Sequence, residues 1–184
     1  NLKANDFYQT AASTLTGDDS ANYTFVGYTS DSKNYIVNKL ALTGAAIADV
    51  STTYGTSASV GAVTFDNVIG TDKVYSTASI VLPTYSTSGN LNANSYDQTA
   101  STVLTGHDAG NYTFAGYTAI KNYTVRPLAL TGAQIANVTT DYGTSASVGE
   151  LTFDNVKGSG ATKDKVTSTS ISIKDPEYST SGNL

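Results

Sequence analysis

Two short polar clusters are where this chain could do chemistry. Asp18, Asp19 and Asn22 lie in LTGDDSANYTF, and Asp108 and Asn111 hold matching places in LTGHDAGNYTF. Closely set carboxylate and amide oxygens are the donors a hard cation such as Ca²⁺ takes. The spacing fits neither an EF-hand loop nor a nonapeptide calcium repeat. A tight Gly-Asp turn, its carboxylate accepting local backbone donors, explains the same residues more simply. Asp66 with Asn67 and Asp154 with Asn155 carry the same two readings. Ca²⁺ is therefore the weaker reading, and no other cofactor is expected.

Catalysis has less to work with. The single histidine, His107, is replaced by Asp18 in the matching phrase, and the chain has no cysteine. A general base or nucleophile has no constellation to act in, so an enzyme is not expected. Lys33 matches Lys121 and Lys73 matches Lys165. A Lys–Asn isopeptide would need burial beside a carboxylic acid, whereas these polar contexts suit surface lysines with solvated heads. Asn22, Asn111, Asn122 and Asn137 each open an N-x-Ser/Thr sequon, a candidate glycan acceptor. The competing reading is that Asn-Tyr-Thr is strand sequence.

These clusters recur because the chain repeats. Residues 15–29 read LTGDDSANYTFVGYT and residues 104–118 read LTGHDAGNYTFAGYT. Asn1 recurs as Asn90 and again as Asn183, a period of about 90 residues, which suits small domains in tandem rather than a solenoid. Insertions collect in Gly-rich residues 158–163 and near Lys174, which marks those places as loops. Pro127 lacks an amide donor and restricts Arg126 to extended backbone, so a joint is expected there. On this frame residues 1–38 are the C-terminal half of a module, 39–126 a complete module and 127–184 the N-terminal half of the next. The alternative frame is 1–89 and 90–182. The two half-modules could complete each other, within the chain or between chains.

Composition agrees with an exposed β protein. Only 14% of residues are charged, net charge is −5, and Cys, Met and Trp are all absent. Charged residues make up about 25% of ordinary domains, so Ser, Thr, Asn and Gly must cover this surface. Ten basic residues give no cationic patch for nucleic acid. No apolar run reaches membrane-spanning length. Lack of oxidisable sulfur suits an extracellular setting, and lack of cystine favours a bacterial one over eukaryotic secretion. Asn1 is not an initiator methionine, so a piece of a longer or processed chain is expected.

The elements that position everything are strands. Tyr112, Phe114 and Tyr117 alternate with Thr, and residues 165–173, KVTSTSISI, alternate in part. Glycines punctuate the chain at turn spacing, and no window supports a long amphipathic helix. The fold class is all-β: tandem antiparallel β-sandwich or β-grasp-like modules of about 90 residues in an elongated array. Tyr23, Phe25, Tyr28, Phe65, Tyr112, Phe114, Tyr117 and Phe153 are the expected core. Rings at period 2 are more often core than a sugar-stacking platform.

The phrases YGTSASVG, DKV, YSTSGNL, LTG-x-DA-x-NYTF and NYTV resemble the MBG and YDG-type repeats of large bacterial surface adhesins, of the filamentous-haemagglutinin and two-partner-secreted kind. The resemblance spans the chain twice, resting on Tyr54 and Gly55, Tyr142 and Gly143, and the Asn-Tyr-Thr elements at Asn22, Asn111 and Asn122. It implies a β-rich tandem stalk or filament at the bacterial cell surface that gives an adhesin reach and stiffness. Its partners would be neighbouring modules of the same or another chain, and host or matrix glycans or proteins. Two alternatives stand beside that reading. One is a multivalent glycan- or matrix-binding module. The other is an extracellular fibre subunit that self-assembles by strand complementation.

Phe114, central to the expected core, supplies a first test. Phe114→Ala should cost about 3–5 kcal/mol in urea denaturation, a large share of a small domain's stability.

Overall fold

Thr, Tyr, Val and Ile suit a pleated, half-buried surface, and they supply most of the strands. The computed structural model describes residues 1–168 and 170–182. Residues 1–38 carry β1 (Asp6–Phe7), β2 (Thr10–Ala11), β3 (Tyr28–Thr29) and β4 (Tyr35–Ile36). Residues 39–126 carry β5 (Leu40–Ala41), β6 (Ala46–Ile47), β7 (Val50–Thr53), β8 (Val63–Thr64), β9 (Ala78–Ile80), β10 (Asn94–Ala100), β11 (Tyr112–Thr113) and β12 (Tyr117–Arg126). Beyond them lie β13 (Gln134–Ile135) and β14 (Leu151–Thr152). The only helical turns among the described residues are three short 3-10 segments, so the chain is all-β.

The chain divides into two compact units. The first comprises Asn1–Asp49, Val60–Val81 and Asp97–Tyr123. In it β1 pairs antiparallel with β4, β2 with β3, β6 with β8 and β9 with β10. One pair is parallel: β11 lies along β5, with Tyr112 opposite Leu40 and Thr113 opposite Ala41. The core of this unit is two clusters that meet at Phe114. Leu42, Val74 and Tyr112 form one, and Ile47, Ala100 and Ala119 form the other. Phe114 stands edge-on to Phe65, with ring centroids 4.9 Å apart.

The second unit comprises Val50–Ser59, Leu82–Tyr96 and Thr124–Leu184. Here β13 pairs antiparallel with β14. Tyr85 bridges Leu91 around a turn closed by the Ser86 amide on the Asn90 carbonyl at 2.9 Å, so the YSTSGNL phrase of residues 85–91 is a hairpin. Tyr96 is buried, and its hydroxyl donates to the Asn92 carbonyl at 2.9 Å.

One buried polar side chain ties the first unit together. Gln98 is 0% exposed. Its Oε1 accepts the Gly61 amide at 2.7 Å, and its Nε2 donates to the Ala48 carbonyl at 3.3 Å. Gly61 must be glycine here, because a Cβ would collide with the Ala48 carbonyl oxygen. Gln9, the repeat counterpart of Gln98, is exposed and bonds the Asn34 side chain instead.

Several expectations need correction. Tyr23, Phe25 and Tyr28 are exposed; Tyr23 is 70% accessible where its counterpart Tyr112 is 3%. Tyr112 is covered by Leu42, Val74 and Val68, which precede it in its repeat. Among the described residues neither buried cluster includes Tyr23. Tyr117 is exposed too, because Gly116, at φ +92°, interrupts the alternation that carries Tyr112 and Phe114 inward. Residues 165–173 form no strand among their described members; Thr169 lies outside the described residues. Their counterpart, β9, is held as a strand by pairing with β10. Phe65, Phe114 and Phe153 are half-buried.

Gln98→Ala should lower stability by about 2–4 kcal/mol in urea denaturation, because it leaves a buried amide and carbonyl unpaired as well as a gap. Gln9→Ala should change stability by no more than about 0.5 kcal/mol, as expected for an exposed side chain.

Candidate functional site

Asn67 shows what the TFDNV phrase does. Its Nδ2 donates to the Ala41 carbonyl at 2.9 Å, and its Oδ1 accepts the Thr43 amide at 2.9 Å. Asn155 repeats this clamp on Ala129 and Thr131, at 2.8 and 2.9 Å. Each clamp fastens an LALTG segment to a TFDNV segment well over a turn away in sequence. Gly44 and Gly132, both with left-handed φ, lie where a Cβ would strike Asp66 and Asp154. The asparagine and glycine in these motifs are therefore structural.

Two constellations stand where repeats end. In the first unit, the Tyr112 hydroxyl donates to Asp72 at 2.6 Å and accepts the Ile69 amide at 3.1 Å. Asp108 accepts the Lys73 amide at 2.8 Å and lies 3.0 Å from His107 Nδ1. Asn111 Oδ1 accepts the Ala4 amide at 2.9 Å. Beside these groups is a cavity of about 270 Å³, bordered by Ala4, Leu40, Ile69 and Tyr112. In the second unit, the Tyr54 hydroxyl donates to Asp164 and stands 3.1 Å from the Ser88 hydroxyl. Asp164 also accepts the Ser88 amide at 2.8 Å. A cavity of about 300 Å³ opens beside them, bordered by Ala93, Leu128, Leu130 and Val156.

The electrostatics follow from these bonds. The Tyr54 hydroxyl, helped by the Ser88 amide, holds the Asp164 carboxyl below its ordinary 3.8. The Lys73 amide, then His107, lowers Asp108 likewise. Burial, then the bond to Asp72, pushes the Tyr112 phenol above 10.0. The Asp164 and Asp108 carboxylates are each held charged by donors they already have.

The predicted cation ligands are placed as turns. Asn22 donates its amide to the Asp19 carbonyl and Asn111 donates to Asp108, both at 3.0 Å. Asp108 and Asn111 spend side-chain oxygens on backbone amides. Asp18, Asp19 and Asn22 are not gathered with further acids; among the described residues no three His, Cys, Asp or Glu side chains are placed to hold a metal ion. Of the sequons, Asn22 and Asn137 are exposed and Asn111 is half-buried. Asn122 donates its Nδ2 to the Ile47 carbonyl at 3.1 Å, with its Oδ1 buried, so a glycan has no room there in the folded chain. His107 is exposed, and its Nδ1 lies 3.0 Å from Asp108.

Sequence reasoning missed Gln98, the asparagine clamps and the Tyr54–Asp164 pair. A signal existed for each: Gln9 with Gln98, Asn67 with Asn155 and Asp72 with Asp164 all recur at repeat spacing. No protein-family model matches the chain, and comparison with curated proteins and with solved structures returned no match. Among the described residues no helix is long and apolar enough to cross a membrane.

These groups set the pH dependence. Asp164 and Asp108 titrate lower in the folded chain, so their stabilisation is complete above pH 3.8 and disappears as pH falls below it. Tyr112 titrates higher when folded, so its contribution is complete below pH 10.0 and is lost as pH rises past it. A melting-temperature series should fall at both ends. Asp164→Asn should flatten the acid limb and Tyr112→Phe the alkaline limb.

Proposed function

We propose that the chain is a structural segment of a bacterial extracellular stalk or filament, built from tandem antiparallel β-sandwich-like modules of about 90 residues, and that it does not act as an enzyme. The observation that carries this reading is duplicated geometry. The Asn67 clamp recurs at Asn155, and the β6–β8 pairing recurs as β13–β14 with matching register. The contact between Gly61 and Ala48 recurs between Gly149 and Ala136. A catalytic pocket needs one copy, whereas reach grows with each copy added. The resemblance to adhesin repeats supports the same reading and supplies its location, the cell surface, and its task of holding an adhesive region outward.

The proposed strength of such a stalk lies in its joints. Tyr54, Ser86, Ser88 and Asp164 link a YG element, a YSTSG hairpin and the DKV of the following repeat. Tyr142 repeats the first half of this arrangement by bonding Ser179 and Ser181.

Length is the decisive measurement. Chains carrying one, two and three tandem copies of residues 39–126 should gain a constant increment in maximum dimension by small-angle X-ray scattering. That increment should be about 30 Å, the span of a ten-residue strand at roughly 3.3 Å per residue. A dimension that grows as for a collapsed or random chain would refute the stalk. Glycan binding by a single copy would favour the binding-module reading.

A further inference from the structure

The first and last stretches of the complete repeat are sewn together inside the first compact unit. Tyr112 stands opposite Leu40 and Thr113 opposite Ala41, in parallel register. The Leu42 amide donates to the Thr113 carbonyl at 2.8 Å. Farther along, Asn122 donates its Nδ2 to the Ile47 carbonyl at 3.1 Å. The partners advance together, from Leu40 to Ile47 on one segment and from Tyr112 to Asn122 on the other. The two segments therefore run in one direction. Their apolar contacts advance with them: Leu42 packs in the cluster that holds Tyr112, Ile47 in the cluster that holds Ala119, and Phe114 touches both.

The earlier segment is also tied to the rest of its own half. Asn67 clamps Ala41 and Thr43, and the Asp66 amide donates to the Thr43 carbonyl at 3.1 Å. Ala46 and Ile47 pair with Thr64 and Val63, and the Ala48 amide donates to the Ala62 carbonyl at 2.9 Å. Residues 40–48 thus cannot slide without breaking bonds to residues 62–67 as well as to residues 112–122.

The direction of a load decides how such a seam fails. Residues 1–38 precede this repeat and residues 127–184 follow it, so tension along the chain enters at Lys39 and leaves past Tyr123. It pulls β5 from its N-terminal end and β12 from its C-terminal end. Parallel segments pulled from opposite ends slide lengthwise, and every fastening is strained at once. Segments pulled from the same end peel, and the fastenings break one after another. Forced unfolding follows the unfolding rate, which stays low when several bonds must break together.

We propose that the parallel seam between residues 40–48 and 112–122 is a mechanical clamp that keeps the complete repeat folded under tension along the chain. Asn122 is its far latch. That the chain meets such tension rests on the stalk reading; the clamp itself is a property of the repeat.

Pulling the 184-residue chain in an optical trap from two alternative pairs of points tests the clamp. The chain has no cysteine, so an introduced pair takes the handles alone. Lys39→Cys with Arg126→Cys loads the seam lengthwise. Lys39→Cys with Gly110→Cys loads it from one end, because Gly110 lies just before Tyr112, the partner of Leu40. All three positions are exposed, and a Cβ at Gly110 meets nothing within 4 Å. Complete opening releases roughly 3.5 Å of chain per residue between the handles, which identifies the event in both geometries. At one loading rate, the 39–126 pair should open at severalfold higher force than the 39–110 pair. Equal forces, or a stronger 39–110 pair, overturn the proposal. Asn122→Ala separates a latch from ordinary stabilisation. It should lower the 39–126 force and leave the 39–110 force nearly unchanged, since peeling reaches residue 122 last. A proportionate fall in both geometries, or no fall in the first, overturns the proposal. Should that variant fail to fold, the two parent geometries still decide. The tandem-length series reads reach and not force. A seam that yields easily in a chain that still lengthens per repeat sinks the clamp and leaves the stalk reading standing.

Discussion

The Tyr112 ring depends on two stretches of chain that are far apart in sequence. Its hydroxyl is held between Asp72 and the Ile69 amide, and its ring lies against Leu42 and Val74. Its backbone runs parallel to Leu40. Parallel pairing cannot be made by a tight hairpin, so the chain must travel between the partners before either is satisfied. Gln98 makes the same demand, since its amide serves Gly61 and Ala48. A repeat is therefore closed only when its early half, with LALTG and TFDNV, meets its late half, with Gln98 and NYTF. Folding has to overcome that loop-closure entropy before the core rewards it.

This constraint explains which parts of the molecule could be read from sequence. Strand chemistry, glycine turns and the absence of long helices are local, and they were legible. The turns at Asp19 and Asp108 were legible too, closed by the Asn22 and Asn111 amides on their backbone carbonyls, but the Asp108 carboxylate takes the distant Lys73 amide rather than the local donor expected of it. Burial was legible only in part. Tyr23 and Tyr112 sit in nearly the same phrase, yet one is exposed and the other enclosed. Alternation says which face of a strand is apolar and is silent on whether a partner segment covers it. Gln98 and Asn67 were opaque for a related reason. A polar side chain on a strand reads as outward-facing unless its buried partners are known, and those partners lie tens of residues away.

Neutral groups do most of the fastening. Among the described residues the ion pairs are His107 with Asp108 and Lys174 with Asp175, and the latter is fully solvated at 4.0 Å. Such a pair contributes little and is screened by salt. Asp164 is instead held by a phenol and an amide, and Asp72 by a phenol. A charge solvated by neutral donors carries no oppositely charged partner for salt to compete with. On the stalk reading, that suits joints bathed in an extracellular medium of changing ionic strength, and it agrees with a sequence only 14% charged.

The differences between the copies show which features the repeat preserves. Residues 158–163 are inserted relative to the preceding repeat, and they fold into a loop containing the turn Gly160–Thr162. Despite that loop, the Asp164 amide reaches the Lys157 carbonyl at 2.9 Å, as the Asp72 amide reaches Ile69 at 3.1 Å. The added length is absorbed outward, and the carboxylate keeps its anchor. Near Ser30 the first copy carries an extra residue, and there β3 and β4 are separate, whereas the later copy runs through as β12. The later strand absorbs its own irregularity at Lys121, left-handed at φ +51° and held by the Asp97 carboxylate on its amide at 2.7 Å. In both places length drifts where the backbone is solvated. What persists is the asparagine clamp inside the early half and the groups that each half presents to the other: the glycine that lets the glutamine in, and the tyrosine with its aspartate. Surface identity would have preserved exposed side chains instead. A repeat that keeps its cross-half contacts and lets its loops vary is constrained by closure.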